Sequence, residues 1–256
     1  MMLWQKAWLE TRWRFISALV ILTMVTGADV YEYVVTLRMM PLAESVLSGA
    51  GNSPLGTAIR EAVEIQREFR GFIWYNAFRD NLSTMGVLFA VLLGCGGLLT
   101  ESKKGSALFT LSLPVTRKQL HGARVGTGLA QCFAIAMVPP LVIPLLAPAV
   151  GQNFSVIDSL AHGLCLFAVG ALFFSLASFL STLFGDIWRP LLIAVFVACV
   201  AAMAQFAAPE LGLFKVMSGE SYFRNGSLPW MGLMTTAVLA SALLYSAAET
   251  LERRDF

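Results

Sequence analysis

The sequence predicts an all-α polytopic membrane protein with six transmembrane helices and both termini in the cytoplasm. Three observations lead there. Hydrophobic residues make up 57% of the 256-residue chain and charged ones only 13%, with a mean hydropathy of +0.71, which is beyond what a soluble domain of this size carries. Hydrocarbon about 30 Å thick is crossed by roughly 20 apolar residues at a rise of about 1.5 Å each. Runs of that order occur at 15–37, 82–100, 121–146, 160–184, 190–208 and 229–247. The basic residues also segregate: Lys6, Arg12, Arg14, Lys103, Lys104, Arg117, Lys118, Arg124, Arg189, Arg253 and Arg254 all fall near span ends on one side of such a topology. By the positive-inside rule that side is cytoplasmic. The other basic residues sit mostly in or beside one long outer loop, where the rule is weak. The slightly basic balance therefore reflects topology rather than nucleic-acid binding.

Residues 1–14 predict an interfacial helix. Lys6, Glu10 and Arg14 recur every four residues, while Trp4 with Trp8 and Leu9 with Trp13 make apolar pairs at the same step. Such a helix lies in the headgroup zone before the chain turns into the bilayer. The apolar run after Arg14 is too long for a cleaved signal and is expected to stay as an anchor. Asp29 and Glu32 lie near the outer end of the first span. Ionisable groups at that depth either line a polar pathway or sit in the outer interface.

Residues 38–81 form one large outer segment. A Gly- and Ser-rich stretch at 48–54 precedes a helical pattern in which Leu55, Ile59, Ala62 and Phe69 share a face. The aromatic cluster Phe72, Trp74, Tyr75 and Phe78 then suits an interfacial belt, with a substrate entrance as the alternative. Span two carries Gly86, Gly94, Gly96 and Gly97. Span three opens with Gly122, Gly126, Ala130 and Ala134 at steps of four, a stripe that lets helices approach closely. Pro139, Pro140, Pro144 and Pro148 predict a kinked or interrupted end to span three. Gly163, Gly170, Ser175, Ser178 and Ser181 give span four a second small-residue surface. Gln131 and Gln205 lie in spans three and five, where a glutamine either bonds a neighbouring helix or meets a substrate, the first being commoner. Residues 209–228 are too long for a tight turn and too mixed to span, and suit short re-entrant pieces at the outer surface.

The basic insert at 101–120, ESKKGSALFTLSLPVTRKQL, stands apart from this pattern. Gly105 releases the backbone, the following residues can make about two helical turns, and Pro114 stops them because proline lacks the donor that continued helix requires. A helix so short is marginal by itself. Leu108, Leu111 and Leu113, flanked by Lys103 and Lys104 on one side and Arg117 on the other, lack an apolar partner inside the loop. They are expected to dock against another protein, the alternative being an ordinary cytoplasmic loop that carries positive-inside charges.

Catalytic chemistry is mostly absent from the sequence. No Gly-Lys pair occurs, so the chain carries no Walker A phosphate loop. His121 and His162 stand at span ends without an HExxH pattern or further ligands and read as interfacial residues. Cys95, Cys132, Cys165 and Cys199 fall in four different spans with no CxxC and read as small buried apolar residues.

The exit of span two followed by TESKKGSALFTLSLPVTRKQLHGAR resembles the type-2 ABC transporter permeases of bacteria. In that family an acidic residue closes span two and is followed by a glycine, a short helix and a Leu-x-Leu-Pro-Val-x-Arg segment. Glu101, Gly105, Leu111, Leu113, Pro114, Val115 and Arg117 occupy those places, and Arg124 continues the basic run. The resemblance implies that the insert is a coupling helix seated in a groove of a separate ABC ATP-binding subunit. It further implies a second permease copy (homodimer or heterodimer), ATP and Mg bound by the partner and no cofactor by this chain, and a multi-pass location in the bacterial inner membrane. Asp29, Glu32, Gln131 and Gln205 are the candidate pathway residues. Two other classes stay open: a non-transport scaffold for a soluble ATPase, and an ion-coupled secondary transporter. The second is disfavoured because Asp29 and Glu32 are the only carboxylates inside a span and no internal repeat is evident.

Overall fold

The computed structural model describes residues 2–49, 54–96, 117–207 and 212–253. These residues are mostly helical, with no strand among them. The elements are α1 (Met2–Gly49), α2 (Pro54–Arg67), α3 (Phe69–Ile73), a π-helical segment (Trp74–Leu82), α4 (Ser83–Gly94), α5 (Arg117–Leu146), a 3-10 turn (Ala147–Val150), α6 (Val156–Leu183), α7 (Trp188–Ala207), α8 (Leu213–Met217), α9 (Glu220–Asn225) and α10 (Trp230–Glu252). Five stretches are long and apolar enough to cross a membrane, contained in α1, in α5 with its 3-10 turn, and in α6, α7 and α10.

The expected second span behaves differently. Helix α4 has only 12 residues, but it continues without a break from the 9-residue π-helical segment and the 5-residue α3, because Trp74, Ile73 and Leu82 at the junctions are all right-handed helical. The π-helical segment needs bonds one residue longer than those of an α-helix, so no hydropathy pattern announces it. At the other end of this path the backbone leaves the helix at Cys95, which is extended.

Two further expectations are corrected. Residues 1–14 do not form a separate interfacial helix that turns into the bilayer. Residues 2–14 are the first turns of one continuous 48-residue α1 that runs on past Arg38 to Gly49. The indole of Trp4 explains part of this, since it lies against Gly126 of α5, where a Cβ would stand 2.5 Å from Trp4 Cη2. The small-residue stripe on α5 therefore meets α1 of the same chain at that point. Of the kinked or interrupted end expected for α5, the interruption is absent: the helix runs unbroken through Pro139, Pro140 and Pro144 to Leu146 and tightens into the 3-10 turn that contains Pro148. Membrane helices tolerate prolines because neighbouring elements re-satisfy the freed carbonyls.

Helix α6 is the hub. It packs against α4, α5, α7, α8 and α10, and its small residues make that possible. The Cβ that Gly94 lacks would stand 2.5 Å from the Phe174 carbonyl oxygen and 2.8 Å from Ala177 Cβ, so α4 and α6 touch backbone to backbone there. Likewise a Cβ on Gly163 would stand 3.0 Å from the Ala136 carbonyl oxygen on α5, and the ring of Phe174 fills the space above Gly128. Ser175, Ser178 and Ser181 are buried. Ser175 donates to the Ala171 carbonyl and Ser181 to the Ser178 carbonyl, which removes the cost of their hydroxyls in an apolar interior.

Candidate functional site

The two ends of the helix bundle carry different chemistry. At one end the chain leaves α4 at Gly96 and returns at Arg117, bracketing the basic insert; this is the insert end. Gly96 is in the left-handed region (φ 106°), which favours glycine. The guanidinium of Arg14 on α1 donates to the Leu92 carbonyl (3.0 Å) and the Cys95 carbonyl (2.7 Å). It thereby satisfies the orphan carbonyls that every helix C-terminus leaves and places positive charge at the negative end of the α4 dipole. Arg124 of α5 pairs with Glu10 of α1 at 3.1 Å, and Glu10 lies 3.6 Å from Lys6. Lys118 of α5 pairs with Glu252 at the end of α10 at 2.7 Å. These pairs are partly exposed and individually weak. Their geometric content is larger: the roots of the insert, the start of α1 and the end of α10 lie together.

At the far end, α8 and α9 form a cap. The Ser218 carbonyl accepts from Trp74 Nε1 (3.1 Å) and lies 2.9 Å from His162 Nδ1. A carbonyl only accepts, so Nδ1 carries the imidazole proton. His162 is 1% exposed, stacks on Phe78 at 4.3 Å and meets Tyr222 edge-on. It is therefore a buried residue of α6 held against the cap. Gly219 has φ 65°, and a Cβ there would stand 2.6 Å from His162 Nδ1, so only glycine fits this turn. Tyr222 donates to Asp158 (2.9 Å), which also pairs with Arg70 (3.2 Å). Burial, followed by the bond to Asp158, raises the Tyr222 phenol above its ordinary range. Arg224 binds Glu61 (3.1 Å) and Glu220 (2.9 Å), and those carboxylates, Glu61 first, hold its guanidinium still more firmly charged.

Beneath this cap lies a cleft of about 790 Å³ between the π-helical segment with α4 on one side and α7 on the other. Its mouth carries Glu61, Arg79, Asp80, Gln205, Lys215 and Arg224, and its deeper walls Met85, Val87, Leu88, Val195, Ala198 and Ala202. A concave, mostly apolar space with polar groups at one end is the usual form of a small-molecule site.

The sequence-predicted residues distribute as follows. Glu101, Lys103, Lys104, Gly105, Leu108, Leu111, Leu113, Pro114 and Val115 lie outside the described residues; Arg117 is the first residue of α5. Asp29 is buried in α1, accepting from Asn81 Nδ2 at 2.9 Å, with its other carboxylate oxygen unpartnered. Glu32, one turn on, is exposed. Gln131 is buried and donates to Thr11 Oγ1 at 2.8 Å, bonding α5 to α1. Gln205 alone of the four lines the cleft. Of the cysteines, Cys95, Cys132 and Cys165 are buried, whereas Cys199 is exposed and lines the cleft. Among the described residues no group of three His, Cys, Asp or Glu is placed to hold a metal ion.

Sequence reasoning missed the cap and the cleft. Trp74, His162 and Ser218 are far apart along the chain, and a backbone carbonyl is their meeting point, so no motif could join them. The one signal present was the density of aromatics at 72–78. No family model, no curated protein and no solved structure matches this chain.

Proposed function

We propose that the chain is the membrane-spanning permease subunit of an ATP-driven ABC-type exporter, with the insert at 101–120 as its coupling element. The observation that carries this reading is the convergence at the insert end. The insert leaves at an α4 terminus gripped by Arg14 and returns at an α5 terminus tied to α1 by Arg124–Glu10 and to α10 by Lys118–Glu252. A push on the insert would therefore reach the first, second, third and last long helices together, as a coupling element requires. In this reading the composite helix Phe69–Gly94 completes six spans, since its segments together exceed the roughly 30 Å of hydrocarbon at about 1.5 Å per residue. An even number of spans puts both termini and the insert on the cytoplasmic face of a bacterial inner membrane, facing the ATP-binding subunit that holds ATP and Mg.

The mechanism is alternating access driven from outside the chain. Closure of two ATP-binding subunits would move the insert on each of two permease copies, and α4 and α5 would transmit that movement. Replacing Leu111 or Pro114 with Asp is expected to abolish both transport and co-purification of the ATP-binding subunit while leaving membrane insertion intact. Survival of both activities, or labelling of Lys103→Cys from the outer face, would overturn the reading.

A further inference from the structure

The cleft has a length, a polarity gradient and a charge pattern that together describe an occupant. From Gln205 to Val195 its α7 wall descends ten residues, about 15 Å at the helical rise, which is half of a hydrocarbon core about 30 Å thick and so the depth of one leaflet. The deeper walls, including Val87, Leu88, Val195, Ala198 and Ala202, offer no strong hydrogen-bonding group below the Thr84 hydroxyl. A peptide or sugar placed there would leave its polar atoms unsatisfied. Leu88 and Cys199 are exposed while lining the cleft, so its apolar part is accessible rather than sealed.

The mouth carries three cations and three carboxylates, among them Asp80, which feels the charge of Arg79, and two of the cations are in no ion pair among the described residues. Arg224 is occupied by Glu61 and Glu220. Lys215 makes no ion pair among the described residues. Arg79 makes none either, and its guanidinium lies over the rings of Tyr75 (4.8 Å) and Trp74 (5.8 Å), which hold it in place. Two cations at the top of a leaflet-deep apolar wall match a phosphate linked to an acyl chain. We propose that the cleft binds one phospholipid from the far-end leaflet, with an acyl chain along Val195–Ala202 and its phosphate between Arg79 and Lys215. The site stands independently of the coupling reading, because it needs no ATP-binding subunit.

Native mass spectrometry of the full chain, purified in detergent and exposed to phosphatidylglycerol, to diacylglycerol or to glycerophosphate, tests the proposal. One retained phosphatidylglycerol is expected, with neither of the other two held. Arg79→Gln combined with Lys215→Gln should weaken retention about tenfold, the effect of losing charge-assisted contacts. Ala202→Trp, which fills the cleft, should remove the lipid, whereas Met203→Trp on the outward face of α7, where Met203 is 72% exposed, should keep it. Equal retention of diacylglycerol, binding of glycerophosphate alone, or equal loss in Met203→Trp would overturn it. The Arg79→Gln/Lys215→Gln protein decides the matter if Ala202→Trp fails to fold. An unmutated chain that co-purifies with no ATP-binding subunit but keeps its lipid would refute the coupling reading and leave this one standing.

Discussion

Helices α6 and α7 are adjacent in the chain and both apolar enough to span a bilayer, yet they occupy opposite situations. In α6, 67% of the most apolar stretch is buried inside the protein, against 17% in α7. The difference follows from side-chain size rather than hydropathy. Helix α6 carries Gly163 and buried Ser175, Ser178 and Ser181 where other helices approach it, while α7 presents Leu192, Phe196 and Met203 outward. Lipid is as apolar as leucine, so large apolar residues gain little from one another in a bilayer and close packing decides which helix is central.

The largest expected effect tests the hub directly. Gly94→Ala places a methyl group 2.5 Å from the Phe174 carbonyl oxygen, and backbone cannot yield as a side chain would. The variant is expected to lose about 3 kcal/mol of stability, as overpacked sites do, read as a lowered melting temperature in detergent. By contrast Gly170 has nothing within 4 Å of its missing Cβ. There Gly→Ala should be neutral or stabilising by up to about 1 kcal/mol through helix propensity. A Gly94 variant as stable as the Gly170 one would remove the backbone contact as the reason for the hub.

An intermediate effect belongs to the polar link between α1 and α5. Gln131→Leu removes the donor to Thr11 and should cost about 1 kcal/mol, the scale of a hydrogen bond between membrane helices. The smallest effect lies on the outward face of α7: Phe196→Ala, at a residue 69% exposed, should change stability by less than about 0.5 kcal/mol. A larger loss there would mean that a partner covers that face.

The same contrast explains what could be read in advance. Long apolar runs announce helices, so α5, α6, α7 and α10 were legible almost to their ends, and the small residues of α6 marked a packing surface. Three things were not legible. The continuity of α1 past residue 14 leaves no sequence signal, and its Trp4–Gly126 contact joins distant segments. The π-helical segment at 74–82 leaves no periodic trace in nine residues. The cleft exists because α8 and α9 fold back over α4 and α7, and nothing in the mixed composition of 212–228 says where that segment settles. Among the candidate pathway residues, Gln131 is engaged with Thr11 and Asp29 with Asn81, which type and position alone could not distinguish from open polar groups.

The cap at the far end is fastened through the Ser218 carbonyl, which meets both Trp74 and His162. Main-chain oxygen is present whatever residue the gene specifies, so exchanging the serine itself leaves this fastening in place. Hereditary variation can loosen it from the tryptophan, from the histidine, or from Gly219, where any side chain would push against the imidazole.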